Sequence, residues 1–322
     1  MLVLLLSAAL LLALAAAIAF GGPGQHPPER RVYDPFPRLD VSTLPPLQHF
    51  RARDGRDLAY RTYRPAKPNG RSVVIVHGSA NRSENVHPLA QALAGAGFQV
   101  HALDIRGHGH SGPAGQADYV GQPEDDLEDF LEAEKPQGQR ILIGFSAGGG
   151  FALRFASGGR QRLFDRYLLL APLLGERTPA SHTDTGDWVS AGSWRIAGLN
   201  LLNALGIGRF NHLPVLIFAV SDRAKVHLTH TYTYNLAISL RPPRNYRGAI
   251  RAARQPMQVL VGAADKVFRP EGFAEIFRQV GSPTPVTLIP GVGHSDMTTK
   301  AIAIEAVVGA ALEEPDHRQS GA

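Results

Sequence analysis

Gly144-Phe145-Ser146-Ala147-Gly148 sets one serine between small residues in the pattern G-x-S-x-G. Arg140-Ile141-Leu142-Ile143 ahead of it reads as a short buried strand, and residues 149–156 read as the start of a helix. In that context the turn lifts the serine hydroxyl above the sheet edge, and the next N–H points into the same space. A serine hydroxyl is a weak nucleophile. It needs an imidazole to take its proton and a carboxylate to orient that imidazole. Asp265 stands one short turn beyond the apolar run Val259-Leu260-Val261-Gly262, and His294 ends the glycine-rich stretch Pro290-Gly291-Val292-Gly293. The chemistry these types suit is acyl transfer, with Ser146 as nucleophile, His294 as base and Asp265 as its orienting acid. The tetrahedral intermediate needs N–H donors. One is Ala147, and the other is expected in His77-Gly78-Ser79-Ala80-Asn81, with Ser79 the donor and Ala80 the alternative.

Each of these residues also has an ordinary structural role open to it. Ser146 can be a helix N-cap, Asp265 a turn residue bonding its own backbone, and His294 a loop histidine. Competing groups are Asp222, His212, His227 and His230, all between residues 172 and 256, and Asp296, which reads as a cap for the final helix. The i,i+3 spacing of His227 and His230 could suit a metal, but no cysteine or carboxylate cluster completes a set, so neither metal nor cofactor is expected. Asp104-Ile105-Arg106-Gly107-His108-Gly109-His110-Ser111-Gly112 reads as a tight loop braced by an Asp104–Arg106 ion pair. It matches neither phosphate-binding glycine pattern.

The elements that must carry these groups follow from periodicity. Asp54-Gly55 between residues 47–53 and 58–64 predicts a hairpin. Strands are expected over 72–77, 98–104, 141–144, 166–171, 257–262 and 286–290, and helices over 87–97, 124–134, 271–280 and 298–312. This alternation predicts an α/β fold, a mostly parallel sheet with helices on both faces. Residues 172–256 are too long for one crossover. They hold Trp188, Trp194, Phe210, Phe218, Tyr232, Tyr234 and Tyr246, and read as a cap over the carboxyl end of the sheet. Within it, 215–220 can be strand or helix, and 199–205 is amphipathic enough to touch a membrane.

The chain has 322 residues, 44% hydrophobic, with no cysteine and a formal net charge of +5. Structural disulfides are therefore excluded. The excess positive charge is dispersed, which argues against nucleic acid as a partner. Residues 1–20 are apolar apart from Ser7 and nearly long enough to span a bilayer, so they read as an uncleaved anchor or a cleaved signal, with a buried helix as the remaining alternative. Ala17-Ile18-Ala19 resembles a cleavage site, whereas Arg30 and Arg31 favour a cytoplasmic body if the segment is an anchor.

Three ordered features, His77-Gly78-Ser79 after a strand, the Asp104 to Gly112 segment and the G-x-S-x-G turn, resemble the α/β-hydrolase superfamily over residues 47–312. The D-x-R-G-H-G-x-S form is similar to its monoacylglycerol lipase and lysophospholipase-like branch. The resemblance implies an α/β-hydrolase fold with an inserted cap. The divisions are 1–20 anchor or signal, 21–46 linker, 47–172 and 256–312 hydrolase core, 173–255 cap, and 313–322 polar tail. It implies a serine hydrolase cleaving esters of a hydrophobic or lipid-like substrate through an acyl-enzyme. A peptidase or amidase on the same triad, and a non-catalytic binding or membrane-scaffold protein, are the alternatives.

Overall fold

The computed structural model describes residues 1–24, 39–175, 178–181, 188–220 and 228–314. Asp222, His227, Arg30 and Arg31 lie outside the described residues. The first helix, α1 (Leu2–Phe20), stands apart from the main sheet. Strands β1 (Leu47–Arg51) and β2 (Asp57–Tyr63) form the hairpin, whose turn needs the positive φ of +83° that Gly55 adopts. There follow β3 (Arg71–Val76), α2 (His87–Gly95), β4 (Gln99–Leu103), α3 (Gln122–Glu134), β5 (Gln139–Phe145), α4 (Ala147–Ala156) and β6 (Arg166–Leu170). In β3 the consecutive residues Val73, Val74, Ile75 and Val76 are all buried. Successive strand residues face opposite ways, so both faces of the sheet are covered.

Between β6 and the next strand of this sheet the chain builds a second, antiparallel sheet. This stretch runs β7 (Val189–Ala191), α5 (Ser193–Ala204), β8 (Pro214–Phe218), β9 (Thr231–Thr233), α6 (Tyr234–Ser239) and α7 (Tyr246–Ala252), and the sheet is β7-β8-β9. The ambiguous run around 215–220 is therefore strand. Trp188, Phe218 and Tyr232 pack in sequence, the first pair tilted and the second edge-to-face, with ring centroids 5.2 and 4.7 Å apart. Strand β10 (Met257–Gly262), α8 (Pro270–Gln279), β11 (Val286–Ile289) and α9 (Ala301–Leu312) complete the main sheet and its cover.

The final helix begins at Ala301 rather than at residue 298, because Ser295–Thr298 close a 3₁₀ turn first. The Asp296 carboxylate accepts the N–H of Gly293 at 2.9 Å, so it braces the preceding loop and does not cap α9.

The main sheet has the order β1-β2-β4-β3-β5-β6-β10-β11, parallel from β4 onward. The chain leaves β3 toward β4 on one side and returns to β5 on the other. The carboxyl ends of β3 and β5 thus open a crevice at the point where the order reverses, which is where such sheets bind ligands. The second sheet is tied to loops at that end: the Thr229 N–H donates to the Ala80 carbonyl at 2.9 Å, and the Thr233 N–H to that of Gly115 at 2.9 Å.

Candidate active site

Ser146 follows β5 directly, with φ +54° and ψ −115°, a conformation that side chains other than glycine seldom adopt. The turn is held open by absent side chains. A Cβ on Gly144 would run into the Gly148 carbonyl, and one on Gly148 into the carbonyls of Val76 and His77. Backbone bonds fix the strained residue from both sides: the Ser146 N–H donates to the Leu170 carbonyl at 2.9 Å, and the Leu173 N–H to the Ser146 carbonyl at 2.9 Å. Although Ser146 occupies the N-cap position of α4, its hydroxyl makes no capping bond. Oγ instead lies 3.0 Å from Nε2 of His294.

His294 and Asp265 are brought to the same rim by two stitched loops. The Ala264 N–H donates to the Val292 carbonyl at 2.9 Å, and Ala263 N–H to that of Ile289 at 2.8 Å, so the turns after β10 and β11 are tied together. Asp265 uses its two oxygens differently. Oδ1 accepts the N–H groups of Val267 and Phe268 at 2.7 and 2.9 Å, and Oδ2 sits 2.7 Å from Nδ1 of His294. Both readings of this residue, turn aspartate and imidazole partner, thus describe it at once. A carboxylate can only accept, so Nδ1 carries the proton and Nε2 is left as an acceptor facing Ser146. The Phe145 and Phe268 rings pack on the imidazole at 5.0 and 5.2 Å. The Asp265 side chain is fully buried and that of His294 is 13% exposed, leaving the imidazole at the surface of the crevice.

Ala147 is the first residue of α4, where helix geometry leaves N–H groups without an intrahelical acceptor. Across the crevice the loop after β3 approaches so closely that a Cβ on Gly78 would lie 3.2 Å from Cβ of Ser146. Ala80, the alternative donor, has φ +63°, and its N–H donates to the Tyr232 hydroxyl at 2.6 Å. That removes it as an oxyanion donor. Among the described residues the Ser79 N–H meets no protein acceptor. His77 holds this loop: Nδ1–H donates to the Gly78 carbonyl at 2.8 Å and Nε2 accepts from the Ile105 N–H at 3.3 Å. Burial lowers its pKa.

The 104–112 loop is braced differently from the sequence expectation. Arg106 pairs with Asp126 of α3 at 2.6 and 2.7 Å and with Asp54 at 2.9 Å, not with Asp104. Asp104 instead accepts the N–H groups of Ser83 and His110 at 2.7 and 2.9 Å. Sequence reasoning placed Tyr232 only among the apolar residues of the cap. Its hydroxyl in fact joins Ala80 to Nε2 of His108, 2.6 Å away. His212 Nδ1 bonds the Arg209 carbonyl, three residues back, at 3.0 Å and is exposed, with no contact to this cluster among the described residues. No group of three or more His, Asp or Glu suited to a metal occurs among the described residues. A cavity of about 490 Å³ bounded by Pro45, Thr62, Tyr63 and Gln91 includes none of the crevice residues.

Residues 67–205 match the family model described as serine aminopeptidase, S33. The chain is similar to a monoacylglycerol lipase of Mycolicibacterium smegmatis, 33% identical over 126 residues, 37% of this chain and 44% of the relative. It is also similar to a non-heme chloroperoxidase of Kitasatospora aureofaciens, 32% identical over 120 residues, 37% of this chain and 42% of the relative. The matched stretch therefore spans less than half the length of either curated relative. Among solved structures, a soluble variant of monoglyceride lipase from Saccharomyces cerevisiae superposes with a TM-score of 0.61 at 17% identity, covering 85% of this chain and 96% of that one. A monoacylglycerol lipase of Paleococcus ferrophilus gives 0.57 at 20% identity, covering 79% and 97%. Sheet order, strained serine turn and these likenesses together show that the chain has the α/β-hydrolase fold.

Proposed function

We propose that the protein is a serine hydrolase that cleaves carboxylic esters of a hydrophobic or lipid-like substrate through an acyl-enzyme on Ser146. The observation that carries this reading is the unbroken hydrogen-bonded line from Ser146 Oγ through His294 to Asp265. As Oγ attacks the ester carbonyl, its proton passes to Nε2 of His294. Asp265 keeps the ring in the receptive tautomer and stabilises the imidazolium. The N–H groups of Ala147 and Ser79 hold the oxyanion. Collapse of the tetrahedral intermediate breaks the C–O bond, and the imidazolium gives its proton to the departing alkoxide. His294 then takes a proton from water, which attacks the acyl carbonyl; collapse breaks the bond from the acyl carbon to Ser146 Oγ, and the imidazolium returns its proton to Oγ. A lipid-like ester is favoured by the names of two similar proteins, both monoacylglycerol lipases, and by the apolar first helix.

Replacing Ser146 by Ala should lower turnover of short p-nitrophenyl esters by about 10⁴-fold or more. Retention of wild-type turnover by Ser146→Ala sinks the mechanism. The aminopeptidase description of the matching family favours a second reading, cleavage of an aminoacyl amide by the same groups. Parallel assays on an acyl ester and an aminoacyl amide decide between the two by the larger kcat/KM.

A further inference from the structure

Helix α1 is 19 residues long and apolar, with a mean hydropathy of 2.8 over its best window, and only Ile18 of it is buried. At about 1.5 Å per residue it reaches roughly 28 Å, close to the hydrocarbon thickness of a bilayer. Its one polar side chain, Ser7, returns its hydroxyl proton to the Val3 carbonyl at 2.9 Å. No charged side chain lies along the helix.

The other end of the helix is not loose. Its last carbonyls are capped by Arg195 from the start of α5: Nε donates to Ile18 at 2.7 Å and Nη2 to Ala19 at 2.8 Å. The third nitrogen, Nη1, donates to the Pro214 carbonyl at 2.8 Å, where β8 begins, and the Arg195 N–H donates to the Gly21 carbonyl at 3.0 Å. One guanidinium thus ties α1, α5 and the second sheet together, and a cation at a helix C-terminus is also favoured by the helix dipole. The packing is cut to fit. Gly198 of α5 leaves the space that Ile18 enters, since a Cβ there would lie 2.9 Å from Ile18 Cγ1. Gly21 similarly lets the chain pass against Trp194.

Trp194, Gly198 and Leu201 stand at i, i+4 and i+7 on α5, and Leu205, the residue that ends the helix, extends the same stripe at i+11. Gly198 receives α1, while Trp194, Leu201 and Leu205 on the same stripe are 75%, 49% and 67% exposed. An apolar stripe continuous with an apolar helix of membrane-spanning length indicates that both meet the same medium.

We infer that α1 is retained on the mature protein as a bilayer-embedded helix whose last turn is docked on α5, and that the Trp194–Leu205 stripe lies in the lipid interface. The Ala17-Ile18-Ala19 stretch is then a docking element rather than a cleavage site. Because the second sheet also bonds the loop carrying Ala80, the anchor holds the crevice face toward the membrane. A tryptophan at the boundary suits this placement, with its ring in lipid and its N–H in the headgroups.

The chain lacks cysteine, so an Ile18→Cys, Gly198→Cys pair has no background. A specific protease site placed between residues 25 and 38 separates α1 from the body. In membranes from cells expressing the full chain, mild oxidation should keep the helix attached after cleavage until reductant is added. The protein should resist carbonate extraction and retain residues 1–20 by intact mass. Adding Arg195→Ala should slow cross-linking severalfold. As a measurement that leaves the contact between α1 and α5 untouched, Trp194 fluorescence in a Trp188→Phe chain should fall at least about twofold in vesicles of brominated phosphatidylcholine. A mature chain starting after Ala19 overturns the inference. So does a full-length soluble protein, including one in which a second copy covers the stripe, and so does unquenched Trp194. Failure to cross-link in protein whose Ser146 still reacts with a fluorophosphonate does the same. That labelling tests the hydrolase reading separately.

Discussion

Asp265 divides its labour between two oxygens, and the division makes a sharp prediction. Asp265→Asn can keep the turn bonds to Val267 and Phe268 through its remaining oxygen while presenting an amide to Nδ1 of His294. The ring is then driven to the other tautomer, so kcat should fall about 10³–10⁴-fold with little change in melting temperature, checked by ester turnover and calorimetry. Tyr232 gives a second prediction. Tyr232→Phe strands the Ala80 N–H and His108 Nε2, both buried, and should cost about 1–3 kcal/mol in chemical denaturation. Its kcat should fall by less than the about 100-fold cost of losing an oxyanion donor itself. Ser146, Asp265 and His294 could be singled out from the sequence because each has a type suited to acyl transfer and each follows a strand end. Tyr232 could not, since no local pattern links it to a loop 152 residues away.

At the scale of elements, the turn between β5 and α4 tolerates no added atoms. Gly144→Ala forces Cβ against the Gly148 carbonyl, and should destabilise the fold by more than about 3 kcal/mol or abolish soluble expression. The brace between the 104–112 loop and α3 is equally exposed to test. Asp126→Ala leaves the buried Arg106 with Asp54 alone, and should cost about 3 kcal/mol, measured by urea unfolding. The main strands were readable because buried parallel strands are continuous apolar runs, as in Val73 to Val76. The three-residue strands β7 and β9 were not, since so short a segment has no period to detect. Helix α9 started late for a related reason: the 3₁₀ turn ahead of it shares helix-like composition, and only its hydrogen bonds tell the two apart.

Across the whole molecule, buried neutral histidines couple stability to pH. Burial pushes His108 down to about 3, with His77 adding repulsion, and pushes His101 down to about 4. The unfolded chain takes up a proton on each near 6.5, while the folded chain does so only at far lower pH. The unfolded state therefore binds more protons throughout that interval. Stability is present above about 6.5 and falls on acidification toward 4, by ~1.4 kcal/mol per pH unit for each histidine. Urea unfolding free energies between pH 7.5 and 4.5 should show this slope, and His101→Gln should remove that residue's share, ~1.4 kcal/mol per pH unit. Composition and periodicity were sufficient for the α/β class. The docking of α1 on α5 was not legible, because it depends on Arg195 and Gly198 meeting a helix that hydropathy reads only as an isolated apolar run. The central claim concerns Ser146, and fluorophosphonate labelling followed by peptide mass mapping addresses it most directly. One stoichiometric adduct on Ser146 that abolishes ester turnover, and that forms far more slowly in His294→Gln, is the predicted result; full turnover with Ser146 unmodified contradicts the account.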